Sequence, residues 1–161
     1  MKALVVYDSV FGNTEKIAQA IGEGLGTPEE VTTLRVSEAG LEQLDGIDIL
    51  VVGSPTRAFK STPAISSFLR QIRPGSLSGV SVSAFDTRIP VDEKTPGFLK
   101  FLIKLFGYAA EPMAEKLKKK GGAVKVGPAG FNVGGTEGPL GDGELERAAG
   151  WAKELRTQSE A

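Results

Sequence analysis

The chain has 161 residues, 40% of them hydrophobic and 24% charged, with a net charge of -1. That length fits one α/β domain, no apolar run reaches the ~20 residues of a membrane span, and a near-neutral chain has no field to draw nucleic acid. Cysteine and histidine are both absent, which excludes disulfides, a thiol nucleophile, a Ser-His dyad and a zinc site of Cys or His ligands.

No linker-like stretch divides the chain, so one domain over residues 1–161 is expected. Met1-Lys2 runs directly into apolar residues without the pattern of a signal peptide, and a cytoplasmic location is expected. A chain poor in catalytic side chains can still perform redox chemistry if a bound organic cofactor carries the electrons. Accordingly, no catalytic residue and no metal site is nominated.

Leu4-Val5-Val6-Tyr7 reads as a strand buried on both faces, as in a parallel sheet. The loop Asp8-Ser9-Val10-Phe11-Gly12-Asn13-Thr14 leads into a helical stripe of Ile17, Ala18 and Ile21 that stops near Gly24 or Gly26. Free amides at a helix start and the positive end of its dipole favour an anion, Ser9, Asn13 and Thr14 offer side-chain donors, and Gly12 permits close approach. With no Lys or Arg in the loop, static phosphate binding suits it better than phosphoryl transfer. The plainer alternative is that Ser9 and Asn13 cap the first helix, Asn13 as its N-cap.

A strand near residues 30 to 36 follows, then a short helix or loop over Glu38–Leu44, a strand over 47 to 53 and a helix over 63 to 72. The turn Gly53-Ser54-Pro55-Thr56-Arg57 offers two hydroxyls around a stiff proline, continuing to Ala58 and Phe59. A strand over 79 to 85 ends in Phe85-Asp86-Thr87-Arg88, with Phe85 closing the buried strand. A helix is predicted over 98 to 120, an interrupted strand over 123 to 133 and a helix over 142 to 157. The stretch from Phe98 to Gly107 has more apolar positions than one helix face buries, which fits a partner surface, a substrate cover or a wholly buried helix. Lys116 with Lys118, Lys119 and Lys120 reads as a solvated helix end. Strands alternating with helices predict a doubly wound parallel sheet, with ligands at the carboxyl ends of the strands where the order reverses.

Val6-Tyr7-x-Ser9-x-x-Gly12-x-Thr14-x-x-x-Ala18 closely resembles the signature of the flavodoxin-like family, and Gly53-Ser54-Pro55-Thr56-Arg57 is similar to that family's second loop. The first loop is the specific match, and the last third of the chain is matched by pattern alone. The resemblance implies an α/β three-layer sandwich with a five-stranded parallel sheet in the order 2-1-3-4-5, and FMN as cofactor. It implies a phosphate site at Ser9, Val10, Phe11, Gly12, Asn13 and Thr14, with Ser54, Pro55, Thr56, Arg57, Ala58 and Phe59 along the flavin. Asp86, Thr87 and Arg88 would clasp the other side. An aromatic that stacks on the flavin from the third loop in many members has no counterpart here. Arg88 could lie on the ring or reach its pyrimidine oxygens, Phe59 could cover the dimethylbenzene edge, and solvation of Arg88 is the alternative. The tail from Phe131 to Arg147 resembles the family's interrupted last strand and final helix, in a structural role.

Two functions follow from that resemblance. One is an electron carrier working between redox partner proteins, as a monomer or weak dimer, with no nucleic-acid or membrane-spanning role. The other is an FMN-dependent reductase taking hydride from NAD(P)H to a quinone-type acceptor, in which Phe98, Phe101, Phe106 and Tyr108 would line a pocket instead of filling a helix core. No GxGxxG fingerprint supports a dedicated dinucleotide site, which favours the carrier. Because acidic carriers surround the reduced flavin with negative charge, Arg57 and Arg88 in a near-neutral chain imply a less reducing flavin. A flavin-free receiver module is disfavoured, since strand three ends in Gly53-Ser54-Pro55 and leaves Asp8 without the partner carboxylates Mg²⁺ requires.

Overall fold

The computed structural model describes residues 1–161. Strand β1, Ala3–Tyr7, is buried along its whole length and pairs in parallel with β2 (Val31–Arg35) and β3 (Ile49–Pro55). Strand β4 (Ser81–Arg88) pairs with β3, and β5 (Ala129–Asn132) pairs with β4. The order is β2-β1-β3-β4-β5, as the resemblance implies, and every pair is parallel, as the alternation of strands and helices predicts.

Successive strand residues point to opposite faces, so each apolar run feeds two cores. Leu4, Val6, Leu50 and Val52 pack on one side with Ile65, Phe68 and Leu69 of helix α2 (Pro63–Gln71) and with Met113 and Leu117 of helix α4 (Ala110–Lys119). Val5, Tyr7, Ile49, Val51 and Phe85 pack on the other with Ile17, Ile21 and Leu25 of α1 (Asn13–Leu25) and with Ala148, Ala152 and Leu155 of α5 (Glu144–Glu160). Each such side chain removed from water contributes about 1.5–3 kcal/mol. Small residues set the closest approaches: a methyl on Gly24 would meet the Ala149 carbonyl oxygen of α5 at 2.6 Å, and one on Gly53 would enter the Phe85 ring.

Four local expectations are corrected. The helix predicted over 98 to 120 is two helices, α3 (Gly97–Phe106) and α4, because Gly107 takes a left-handed φ of 71° and turns the chain between them. The interrupted strand expected over 123 to 133 is interrupted as expected, but narrower: only Ala129–Asn132 forms a regular strand, β5, preceded by one parallel bridge from Ala123 to Ser81. Strand β4 continues through Asp86, Thr87 and Arg88, so the expected third loop is the strand's own carboxyl end. Gly12, with φ of 94°, occupies the N-cap of α1 expected of Asn13, which is instead its first helical residue. The short helical expectation over 38 to 44 is met by two 3₁₀ turns, Val36–Glu38 and Leu41–Leu44.

Candidate functional site

The carboxyl ends of β1, β3 and β4 converge with the segment after β5 around a cleft of about 380 Å³. This is the point where the strand order reverses, and it is where an open α/β sheet leaves a crevice between diverging loops.

The first loop is held by its own side chains. Ser9 Oγ accepts the Gly12 amide at 3.1 Å and the Glu15 amide at 3.3 Å, while Asp8 Oδ1 accepts the Ser9 amide at 2.9 Å. Arg35 braces the loop from β2, donating to the Ser9 carbonyl at 2.8 Å and to Glu15 Oε2 at 3.2 Å. Asn13 Nδ2 donates to the Glu137 carbonyl at 3.0 Å, and the Thr14 hydroxyl meets that of Thr87 at 2.9 Å in a buried contact. The side chains that looked like ligand donors therefore organise the turn. What they leave free is the backbone: the amides of Val10, Phe11, Asn13 and Thr14 have no protein acceptor. Four unpaired donors at a helix N-terminus, aided by the helix dipole, form an anion cradle without a formal charge.

The second loop is a tight hairpin in which the amides and carbonyls of Arg57 and Lys60 exchange bonds of 2.8 and 3.0 Å. Its two central residues, Ala58 and Phe59, have φ of 47° and 69°. Left-handed conformations at non-glycine residues cost about 1 kcal/mol or more each and persist where the surroundings impose them. Ser54 is buried, accepting the Thr62 amide at 3.0 Å and donating to the Pro55 carbonyl at 2.9 Å, and Thr56 Oγ1 accepts the Ala109 amide at 3.1 Å.

At the end of β4 the Asp86 carboxylate is fully buried. Arg88 donates to it from Nε at 2.6 Å and Nη2 at 2.7 Å, and the Ala110 amide adds a bond of 2.9 Å. Burial pushes the Asp86 carboxyl above its ordinary value, opposed by the hydrogen bonds and charge of the Arg88 guanidinium and by the Ala110 amide. The guanidinium carbon also sits 3.8 Å from the centre of the Tyr108 ring.

Of the nominated residues, Val10, Phe11, Asn13, Thr14, Pro55, Thr56, Arg57, Ala58, Thr87 and Arg88 line the cleft. Ser9, Gly12, Ser54, Phe59 and Asp86 do not; the first three and Asp86 shape the loops from behind, and Phe59 faces the Phe106 ring at a centroid distance of 5.5 Å. Sequence reasoning missed Ile89, Val133, Gly135 and Thr136, all at the cleft, and so gave the segment after β5 too purely structural a role. No local signal marked them, because only the pairing of β5 with β4 brings that segment to the crevice.

The cleft thus combines a donor cradle with an apolar wall of Val10, Phe11, Ile89 and Val133, and those unpaired amides and that wall fit the phosphate and the flat ring system of FMN.

The model of the flavodoxin domain family matches residues 4–102. An uncharacterized protein of Methanocaldococcus jannaschii is 36% identical over 110 residues, 63% of this chain and 28% of that protein. A flavodoxin of Aquifex aeolicus is 46% identical over 57 residues, 34% of this chain and 31% of that protein. The matches thus span less than a third of the length of either relative. Oxidised Flavodoxin 1 from Bacillus cereus superposes with a TM-score of 0.70 at 20% identity, covering 98% of both chains, a likeness that shows the fold.

Proposed function

The chain belongs to the flavodoxin domain family, a family of FMN-binding electron-transfer proteins, and on that premise we propose that it carries electrons between redox partner proteins. Bound FMN supplies the redox chemistry, taking up and releasing electrons one or two at a time. The rest is done by the chain's own residues, in one flavodoxin-like domain working in the cytoplasm. The amides of Val10, Phe11, Asn13 and Thr14 would hold the phosphate, and Asn13, tied to the Glu137 carbonyl, fixes the loop against the segment after β5. Pro55, Thr56, Ala58, Thr87, Arg88 and Ile89 line the rest of the cleft and would border the ring.

The observation that carries this reading is the loop of four acceptor-free amides opening α1 beside an apolar wall. Arg88 is neutralised by Asp86, so Arg57 is the uncompensated positive charge at the cleft. The test is the visible spectrum of the purified protein and its titration with FMN. A flavin spectrum, or tight uptake of added FMN, is the expected result; a colourless protein that takes up none refutes the proposal.

A reductase function has one observation in its favour. The apolar space beneath α3, lined by Phe59, Ile89, Leu99, Ile103 and Tyr108, shares Thr56, Ala58 and Ile89 with the cleft and would admit a small acceptor. Stopped-flow mixing of the FMN-loaded protein with NADPH separates the two, since only the reductase bleaches rapidly.

A further inference from the structure

Helix α3 is unlike every other α-helix of the fold, because none of its ten residues is buried. A surface helix ordinarily buries one apolar stripe and shows water a polar one. Here Leu99, Ile103 and Phe106, at helical spacing, face the second loop, with Leu99 and Ile103 lining the space under the helix and Phe106 against Phe59. A second stripe at i, i+3 and i+7 turns outward: Phe98, Phe101 and Leu105 are 75%, 62% and 62% exposed. Ile89 and Val91, half exposed on the preceding segment, add to the exposed apolar surface.

The charges on α3 itself have one sign. The only charged residues on α3 are Lys100 and Lys104, four apart, and Lys60 and Lys116 line the adjoining cavity beside Phe106. None of the four lysines makes an ion pair. Of the two carboxylates on the preceding segment, Asp92 is engaged in its own turn with Lys94 and Thr95, and Glu93 is exposed beside Lys94.

We propose that α3 is an interfacial helix that docks the protein on an anionic lipid surface, with Phe98, Phe101 and Leu105 entering the headgroup region and lysines meeting the lipid phosphates. Exposed aromatic and leucine side chains beside an all-lysine polar face are the composition of helices that lie in a bilayer interface. Ten residues span ~15 Å, too short to cross the ~30 Å hydrocarbon core, so α3 lies on the membrane without spanning it. A second copy of the chain is the poorer occupant. One face of a ~15 Å helix supplies far less than the roughly 800 Å² per partner of a stable interface, and mutual contact would set lysine stripes against each other. Membrane docking would also turn the mouth of the space under α3, and with it the neighbouring cleft, toward lipid-borne acceptors.

The test is flotation of the full chain, with and without added FMN, on vesicles of phosphatidylcholine and of mixed phosphatidylcholine and phosphatidylglycerol. The protein is expected to float with the mixed vesicles at low salt, to be released as salt rises, and to ignore the neutral ones. Substituting Phe98→Ser, Phe101→Ser and Leu105→Ser together abolishes flotation, with circular dichroism checking that the fold is kept. Replacing Lys100→Gln and Lys104→Gln weakens binding by about fivefold per lysine. The readout needs no flavin, so it stands apart from the cofactor reading. Failure to bind anionic vesicles overturns the proposal, as does binding that the triple variant retains. So does a concentration-dependent dimer, seen by sedimentation velocity and lost in Phe101→Ser, from a protein that ignores lipid.

Discussion

The hydroxyls of Thr14 and Thr87 meet at 2.9 Å in a buried contact, joining the start of α1 to the end of β4 across 73 residues of sequence. This bond fixes the cradle of the first loop relative to the opposite wall of the cleft, and neither hydroxyl has another partner. Thr14→Val leaves the Thr87 hydroxyl buried and unsatisfied, at a cost of about 1–3 kcal/mol, while Thr14→Ser restores most of it. Urea denaturation of the three proteins measures the difference, and equal midpoints for Val and Thr would show the contact to be inconsequential.

Removing the other half of the Asp86 pair is costlier. Arg88→Ala strands a carboxylate with no exposed surface and is expected to destabilise the fold by about 3 kcal/mol. The double variant Asp86→Asn, Arg88→Met should lose less than Arg88→Ala alone, since no buried charge is orphaned. The order of the two denaturation midpoints decides the matter.

Arg57 has a different role, because its guanidinium is exposed at the cleft and forms no ion pair. In the FMN-loaded protein, Arg57→Ala removes a positive charge that favours the reduced, anionic flavin. At ~0.5–1 kcal/mol for a solvent-screened charge, the midpoint potential falls by roughly 20–40 mV. A redox titration with no downward shift would remove Arg57 from the account of potential tuning.

Acid should loosen the link between the start of β2 and α5. Hydrogen bonds from Arg156 and from the Thr27 amide lower the Glu30 carboxyl from 4.5 to about 2. A carboxylate whose value is lowered by folding stabilises the native state above its unfolded value and ceases to do so as pH falls through its folded value. Glu30→Gln should therefore melt below wild type at neutral pH, with the gap closing between 4.5 and about 2. A gap independent of pH would mean that packing of the glutamate stem, not its charge, is what Arg156 requires.

Two glycines should fail for different reasons. Gly53→Ala places a methyl inside the Phe85 ring, an overpacking penalty of about 1–3 kcal/mol. Gly12→Ala meets no atom within 4 Å, so its cost of about 1–2 kcal/mol comes from the left-handed φ of 94°. Substituting Asn at the two positions distinguishes them, because Asn tolerates the left-handed region at 12 but is larger still at 53. Thermal melts of the four variants give the comparison.

Particular residues explain how far the sequence could be read. Leu4 to Tyr7 and Ile49 to Val52 are apolar at every second position on both faces, and that requirement of a doubly covered sheet holds for any neighbours the strands have. Gly107 was harder, since a glycine inside an apolar helical period tolerates a helix as well as a break. Ser9, Asn13 and Thr14 were read as side-chain donors to a ligand, but their side chains bond within the protein, and the free groups of the loop are backbone amides.

By itself, then, the sequence determined the parallel α/β architecture and the loop that opens α1 after β1, because hydrophobic period and turn chemistry are local properties of the chain. Only the tertiary structure decided that Arg88 turns to Asp86 and Tyr108, that Val133 and Thr136 reach the cleft, and that Phe98, Phe101 and Leu105 face outward. Those outcomes depend on which groups the fold brings together across long stretches of sequence: a buried carboxylate competes for the guanidinium more strongly than solvent does, and α3 finds no second layer to cover it.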